Sequence, residues 1–280
     1  MNGNKRKPVL CPNCRRLVGS DDTTCPYCGT RKPRSLLNRY FFGAVMNDPD
    51  KLIKAIIGLN VLMYAISLLL SPGGRQFSGN PLSMLSPGSR GLLLFGATGT
   101  IPIDQMHRWW SLLSANYLHA GILHILFNML ALWQIAPLIV REYGLSRMLV
   151  IYTLGGVAGF GISYLVGVQL TIGASAAICS LIGAALYFGI NRGGVYGQAV
   201  YRQVGGWAVS LFVFGFLIPG INNWGHAGGM LAGALLGALL GYREKKRETR
   251  WHLITARITA VLTVVTLLGA TLSGVQYLLS

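Results

Sequence analysis

Acidic residues are nearly missing from this chain: only 8 of its 280 residues are Asp or Glu, and charged residues of all kinds make up 11%. Soluble domains carry about a quarter charged residues, so the composition is that of a membrane protein. No Asp, Glu, Lys or Arg falls at the centre of any long apolar run after the first. A transporter would want ionisable groups at mid-membrane or interrupted helices in repeated halves, and no such repeat is evident. An intramembrane aspartyl protease would lack its carboxylates for the same reason. The motif H-E-x-x-H is absent as well, which argues against a zinc metalloprotease. No cleavable signal sequence precedes the chain, because the first fifty residues are polar and cysteine-rich; the first apolar run is expected to act as the insertion signal.

What is present is apolar and basic. Hydrophobic residues make up 52% and the formal net charge is +16. Seven membrane spans are expected, over 52–70, 118–140, 148–168, 175–190, 204–218, 225–241 and 258–279. Basic residues gather at Lys5 to Lys7, Arg31 to Arg39, Arg141, Arg147, Arg192, Arg202 and Arg243 to Arg250, in the N-terminal tail and every second loop. The intervening segments 169–171 and 219–223 carry no charge. By the positive-inside rule the N-terminus is cytosolic and the C-terminus outside, in a multi-pass protein of the plasma (inner) membrane. A basic surface facing anionic lipid explains the charge, and no nucleic-acid partner is expected.

Cysteine is scarce but ordered. Four of the five form Cys11-Pro-Asn-Cys14 and Cys25-Pro-Tyr-Cys28, two C-x-x-C knuckles separated by ten residues. Four thiolates at that spacing suit tetrahedral Zn²⁺, so residues 1–30 are expected to form a cytosolic zinc ribbon. Disulfides are disfavoured in a reducing cytosol. The zinc would be structural, since thiolates fill every position and none is left for water, and catalysis needs no cofactor. The ribbon's partner is not legible. Residues 31–50 read as a basic linker. Residues 71–107 form a long Pro-, Gly- and Ser-rich loop whose apolar patch Leu92-Leu93-Leu94-Phe95 suits an interfacial element. Arg108, Trp109 and Trp110 look like an anchor at headgroup level.

Two polar side chains open apolar runs. Ser175 follows Gly173 at the head of the fourth span, and His226 stands at the head of the sixth. Both runs enter from the outer face, so a hydroxyl and an imidazole can meet there as nucleophile and base. Taken singly, each could be a back-bonding serine or a helix-packing histidine. The sixth span carries glycine at 225, 229, 233, 237 and 241, a ridge that allows very close helix approach. The fourth answers with Ser175, Ala176, Cys179, Ser180, Gly183 and Ala184. On the second span His124 and Asn128 share a face at i, i+4, with His119 a turn earlier. Directed at Ser175 they would be donors to an oxyanion, and the bland reading is interhelical glue.

Together these residues resemble the rhomboid family of intramembrane serine proteases. The matching pieces are Trp109-Trp110, Leu118-His119-Ala120-Gly121, His124 through Asn128, Gly173-x-Ser175 and His226-x-Gly228-Gly229-x-x-x-Gly233. The resemblance implies an all-α polytopic fold with a six-helix catalytic core over 51–245, to which 246–280 adds a C-terminal transmembrane helix. It implies Ser175 as nucleophile, His226 as general base, and His124, Asn128 and the Ser175 N–H around the oxyanion. The implied substrates are transmembrane proteins, cut in or near their membrane segments. The chain departs from the family pattern at Ser111 (commonly Arg), at Ala176 (usually Gly) and at Cys179 (commonly an aromatic packed on the histidine). A catalytically weak or inactive relative that binds membrane clients is the alternative.

Overall fold

Helices follow the apolar runs. A computed structural model describes residues 8–11, 16–27, 43–46, 48–71 and 84–280. Its contacts divide the chain into two units, 1–55 and 56–280, with the boundary inside a helix.

In the first unit β1 (Pro8–Leu10) pairs antiparallel with β2 (Leu17–Gly19), Val9 opposite Val18. Cys11 follows β1 and its N–H donates to the Arg16 carbonyl at 2.9 Å. Cys11, Val18 and Cys25 are buried in one small cluster, with Val9 against it. So few apolar groups cannot hold a fold on their own. Cys14 and Cys28 lie outside the described residues. A short α1 (Gly43–Met46) follows, and α2 (Pro49–Leu69) crosses the boundary between the units.

The second unit continues with α3 (Gly88–Leu94), a π-helical turn at 101–105, α4 (Ser111–Ser114) and a 3₁₀ turn at 115–117. Six longer helices come next: α5 (Ile122–Tyr143), α6 (Leu145–Leu165), α7 (Ser175–Arg192), α8 (Gly194–Leu217), α9 (Asn223–Leu240) and α10 (Arg250–Leu279). Among the described residues α2, α5, α6, α7, α8 and α10 are long and apolar enough to cross a membrane. The sixth expected span, α9, is an 18-residue helix outside that set. Asn223, Trp224 and His226 open it and glycines thin it, because one face meets protein rather than lipid. That face is Gly225, Gly229, Gly233 and Gly237, all buried, while Leu231, Leu235 and Leu239 are exposed.

Two expectations shift. The segment 191–203, read as a loop, is mostly the start of α8; Gly193, at φ +64°, is the one residue between α7 and α8, and Gly194, at the same φ, opens α8. Polar and basic residues need not end a helix where the hydrocarbon ends. The patch at 92–95 lies in the protein core instead of an interface. Leu92, Leu94 and Phe95 are buried, and the Phe95 ring packs against Gly274 of α10.

The centre is the trio α6, α7 and α9, which make the densest contacts of the bundle. A Cβ on Gly233 would overlap the Ser180 carbonyl oxygen, one on Gly229 the Ala176 oxygen, and one on Gly183 the Met230 oxygen. Backbone therefore rests on backbone along the whole α7–α9 seam.

Candidate active site

That seam ends at Ser175 and His226. Ser175 is the first residue of α7, after Ala174. The earliest α7 bond runs from the Ile178 N–H to the Ala174 carbonyl at 2.9 Å. The N–H groups of the first turn, Ser175 included, have no i−4 partner within the helix and carry its positive dipole end. Across the seam His226 lies in the first turn of α9, buried, with its N–H bonded to the Asn222 carbonyl at 3.2 Å. The Ser175 Oγ and His226 Nε2 are 2.9 Å apart. A hydroxyl proton shared towards Nε2 requires the neutral ring to carry its own proton on Nδ1. Among the described residues Nδ1 is buried without a hydrogen-bond partner.

The approach to Ser175 is held in place. Thr171 and Thr98 exchange main-chain bonds of 2.7 and 3.1 Å, and the Gly173 N–H donates to the Ala115 carbonyl at 2.8 Å. Gly173 has φ +122°, a conformation that favours glycine. A Cβ there would stand 2.9 Å from His124 Nε2 and 3.6 Å from Ser175 Oγ. The missing side chain thus leaves a hollow shared by the serine and a histidine of α5.

His124 accepts the Ala120 N–H on Nδ1 at 3.3 Å, so its neutral ring presents an N–H from Nε2 into this hollow. Asn128, also buried, donates from Nδ2 to the His124 carbonyl at 2.8 Å, with one further N–H to give. His119 is fully buried and meets the His124 ring edge-on, centroids 5.0 Å apart. Cys179 is buried on α7. At the loop, Arg108 donates to the Leu93 carbonyl at 2.9 Å and its guanidinium covers Trp110, while Trp109 stacks edge-on with Tyr164. Ser111 is buried and donates to the Thr98 hydroxyl at 2.9 Å.

Residues 106–243, which hold Ser175, His226, His124 and Asn128, match the family model described as the Rhomboid domain. The comparisons support the rhomboid family. Rhomboid protease GluP of Bacillus subtilis (strain 168) is 35% identical over 140 residues, covering 50% of this chain and 27% of that protein. RHOMBOID-like protein 1 of Arabidopsis thaliana is 29% identical over 196 residues, 64% of this chain and 50% of its own length. RHOMBOID-like protein 4 of the same plant is 33% identical over 152 residues, 54% and 38% respectively. The chain thus spans between about a quarter and a half of these relatives. With its long apolar helices, the rhomboid match supports a multi-pass membrane protein.

Asn222 is not among the site residues expected from the sequence. Its Oδ1 accepts the Gly225 N–H, and its Nδ2 donates to the Thr171 and Ser163 hydroxyls. An asparagine just ahead of an apolar helix is a cap signal, and that alone could have flagged it.

Proposed function

We propose that this chain is a rhomboid-type intramembrane serine endopeptidase with Ser175 as nucleophile and His226 as general base. The observation that carries the reading is the 2.9 Å Ser175–His226 contact, made by residues 51 positions apart on two helices whose backbones touch. At family level the rhomboid match and the protease name of GluP support an intramembrane protease. Ser175 Oγ attacks a substrate carbonyl carbon as its proton passes to His226 Nε2. The carbonyl oxygen becomes an oxyanion in the hollow beside Gly173, facing the His124 Nε2–H, the Ser175 N–H and the free amide hydrogen of Asn128. Collapse expels the amine, which takes the proton from His226, and leaves an acyl-serine. Water then gives its proton to Nε2, attacks the ester and frees Ser175. Among the described residues no carboxylate orients the imidazole, so the pair acts as a dyad.

Transmembrane proteins are the substrates this reading implies. A helix hides its carbonyls in its own hydrogen bonds, so cleavage should favour an unwound or Gly/Pro-containing stretch near the outer leaflet. The cytosolic N-terminus and external C-terminus belong to the same proposal. The unpartnered His226 Nδ1 favours one second reading, a weak or inactive client-binding relative, since an imidazolium there would have no anion beside it. The test incubates purified protein and its Ser175→Ala variant with a model transmembrane substrate. Product is expected from the unmodified protein only; equal product from both ends the protease reading.

We further propose that Cys11, Cys14, Cys25 and Cys28 hold one structural zinc, which would cross-link the hairpin of the first unit. Burial of Cys11 and Cys25 in one cluster supports it. Zinc analysis of the purified chain should find about one metal per molecule, lost in Cys11→Ser. Unchanged zinc content in that variant would contradict the ribbon.

A further inference from the structure

Asn222 stands just before α9 and touches both halves of the site. Its Oδ1 accepts the Gly225 N–H at 3.0 Å, capping the helix, and its backbone carbonyl accepts the His226 N–H at 3.2 Å. The base and the residue before it therefore hang from a single side chain and its own peptide. The amide hydrogens go elsewhere. Nδ2 donates to Thr171 Oγ1 at 2.9 Å and to Ser163 Oγ at 2.8 Å. Ser163 is fixed on α6 by donating to the Gly159 carbonyl at 3.0 Å. Thr171 lies four residues before Ser175 and is pinned by its paired bonds with Thr98. Both hydroxyl residues are buried. The space is filled: a Cβ on Gly225 would stand 2.9 Å from Asn222 Nδ2 and 3.1 Å from Ser163 Oγ.

We infer that Asn222 is a positioning residue for the dyad: it ties the head of the His226 helix to the segment leading into Ser175 and so fixes the oxygen–nitrogen separation. The inference rests on the protease reading above. Capping alone does not require asparagine, because Ser, Thr or Asp would accept the Gly225 N–H as well. Only a carboxamide of this length accepts that proton while donating two of its own to separate hydroxyls. Ser163 and Thr171 lie 59 and 51 positions away, so the bonds join three parts of the chain rather than finish a local turn.

The test separates bridge from cap. Asn222→Ser keeps a cap acceptor but is too short to bridge, and Thr171→Val removes the facing hydroxyl at nearly constant volume. The readouts are the labelling rate of Ser175 by a serine-directed fluorophosphonate, kcat and KM on a model transmembrane substrate, and thermal melting. Both variants should melt near the unmodified protein yet lose about tenfold in labelling rate and kcat, with KM changed less than about twofold. The double variant should be no worse than the poorer single, because both changes break the same bond. Labelling in Asn222→Ser and Thr171→Val as fast as in the unmodified protein overturns the inference, as does a fall no greater than the loss of folded protein. If the unmodified protein labels no more than Ser175→Ala, the protease reading itself fails and takes this inference with it.

Discussion

His124 turns its Nε2 to the hollow beside Ser175, while Asn128 spends one amide hydrogen on the His124 carbonyl at 2.8 Å. The two are expected to be unequal. His124→Ala should lower kcat and kcat/KM together by roughly 10²-fold, since its donor acts on charge that develops only in the transition state. Asn128→Ala should cost clearly less, as part of its role is to steady the backbone beneath the histidine. Steady-state kinetics on one model substrate rank them, and a larger loss at Asn128 would reverse the assignment. At this scale the sequence was informative because polar groups inside apolar runs are rare enough to stand out. Asn222 shows in the sequence at most as a helix cap; its bridging role emerges only when Ser163 and Thr171 come within reach of its amide.

The α7–α9 seam was legible as a glycine at every fourth position facing a run of small residues. Its closeness could be expected, since glycine removes the atoms that keep helices apart. Gly233→Ala should push the two helices apart, because its methyl would overlap the Ser180 carbonyl oxygen and backbone cannot swing aside. The expected cost is roughly 1–3 kcal/mol or more in stability. Activity should fall further than stability, as a shift of about 1 Å at the reacting atoms can cost 10²-fold. Thermal melting beside kinetics reads both, and an unperturbed Gly233→Ala would show that the seam has slack. Helix ends were less legible. The start of α8 was hidden because Tyr196, Tyr201 and Arg202 read as loop, although they form its first turns. The patch at 92–95 was misplaced because apolarity alone does not say whether lipid or Gly274 covers a phenylalanine.

Over the whole molecule, the last helix is less separate than the division at 246 suggests. Arg147 at the start of α6 is fully buried and donates to the carbonyls of Tyr143, Gly241 and Lys246 at 3.2, 2.7 and 2.8 Å. Glu248 accepts the Ser146 N–H at 3.0 Å, at the start of the same helix. Beyond this clamp α10 packs along α6 and meets α3 and α4, the second of which runs straight into the 3₁₀ turn whose Ala115 carbonyl accepts the Gly173 N–H. Nothing in the sequence marked Arg147 as internal, since an arginine beside a loop is read as a charge facing lipid headgroups. Arg147→Ala strands three carbonyls and should lower stability by roughly 3 kcal/mol, with activity following the folded fraction. A melt unchanged from the unmodified protein would show the clamp to be ornamental.

A ridge that repeats every four residues does not by itself specify its register. Slide α9 one turn along α7 and glycine meets the neighbour's backbone again, at little cost to the seam, yet the imidazole would travel about 6 Å from the serine. Registration must come from features that do not repeat, the asparagine hub at one end of α9 and the arginine clamp at the other. The hub and the clamp therefore act as a vernier for a contact neither of them makes.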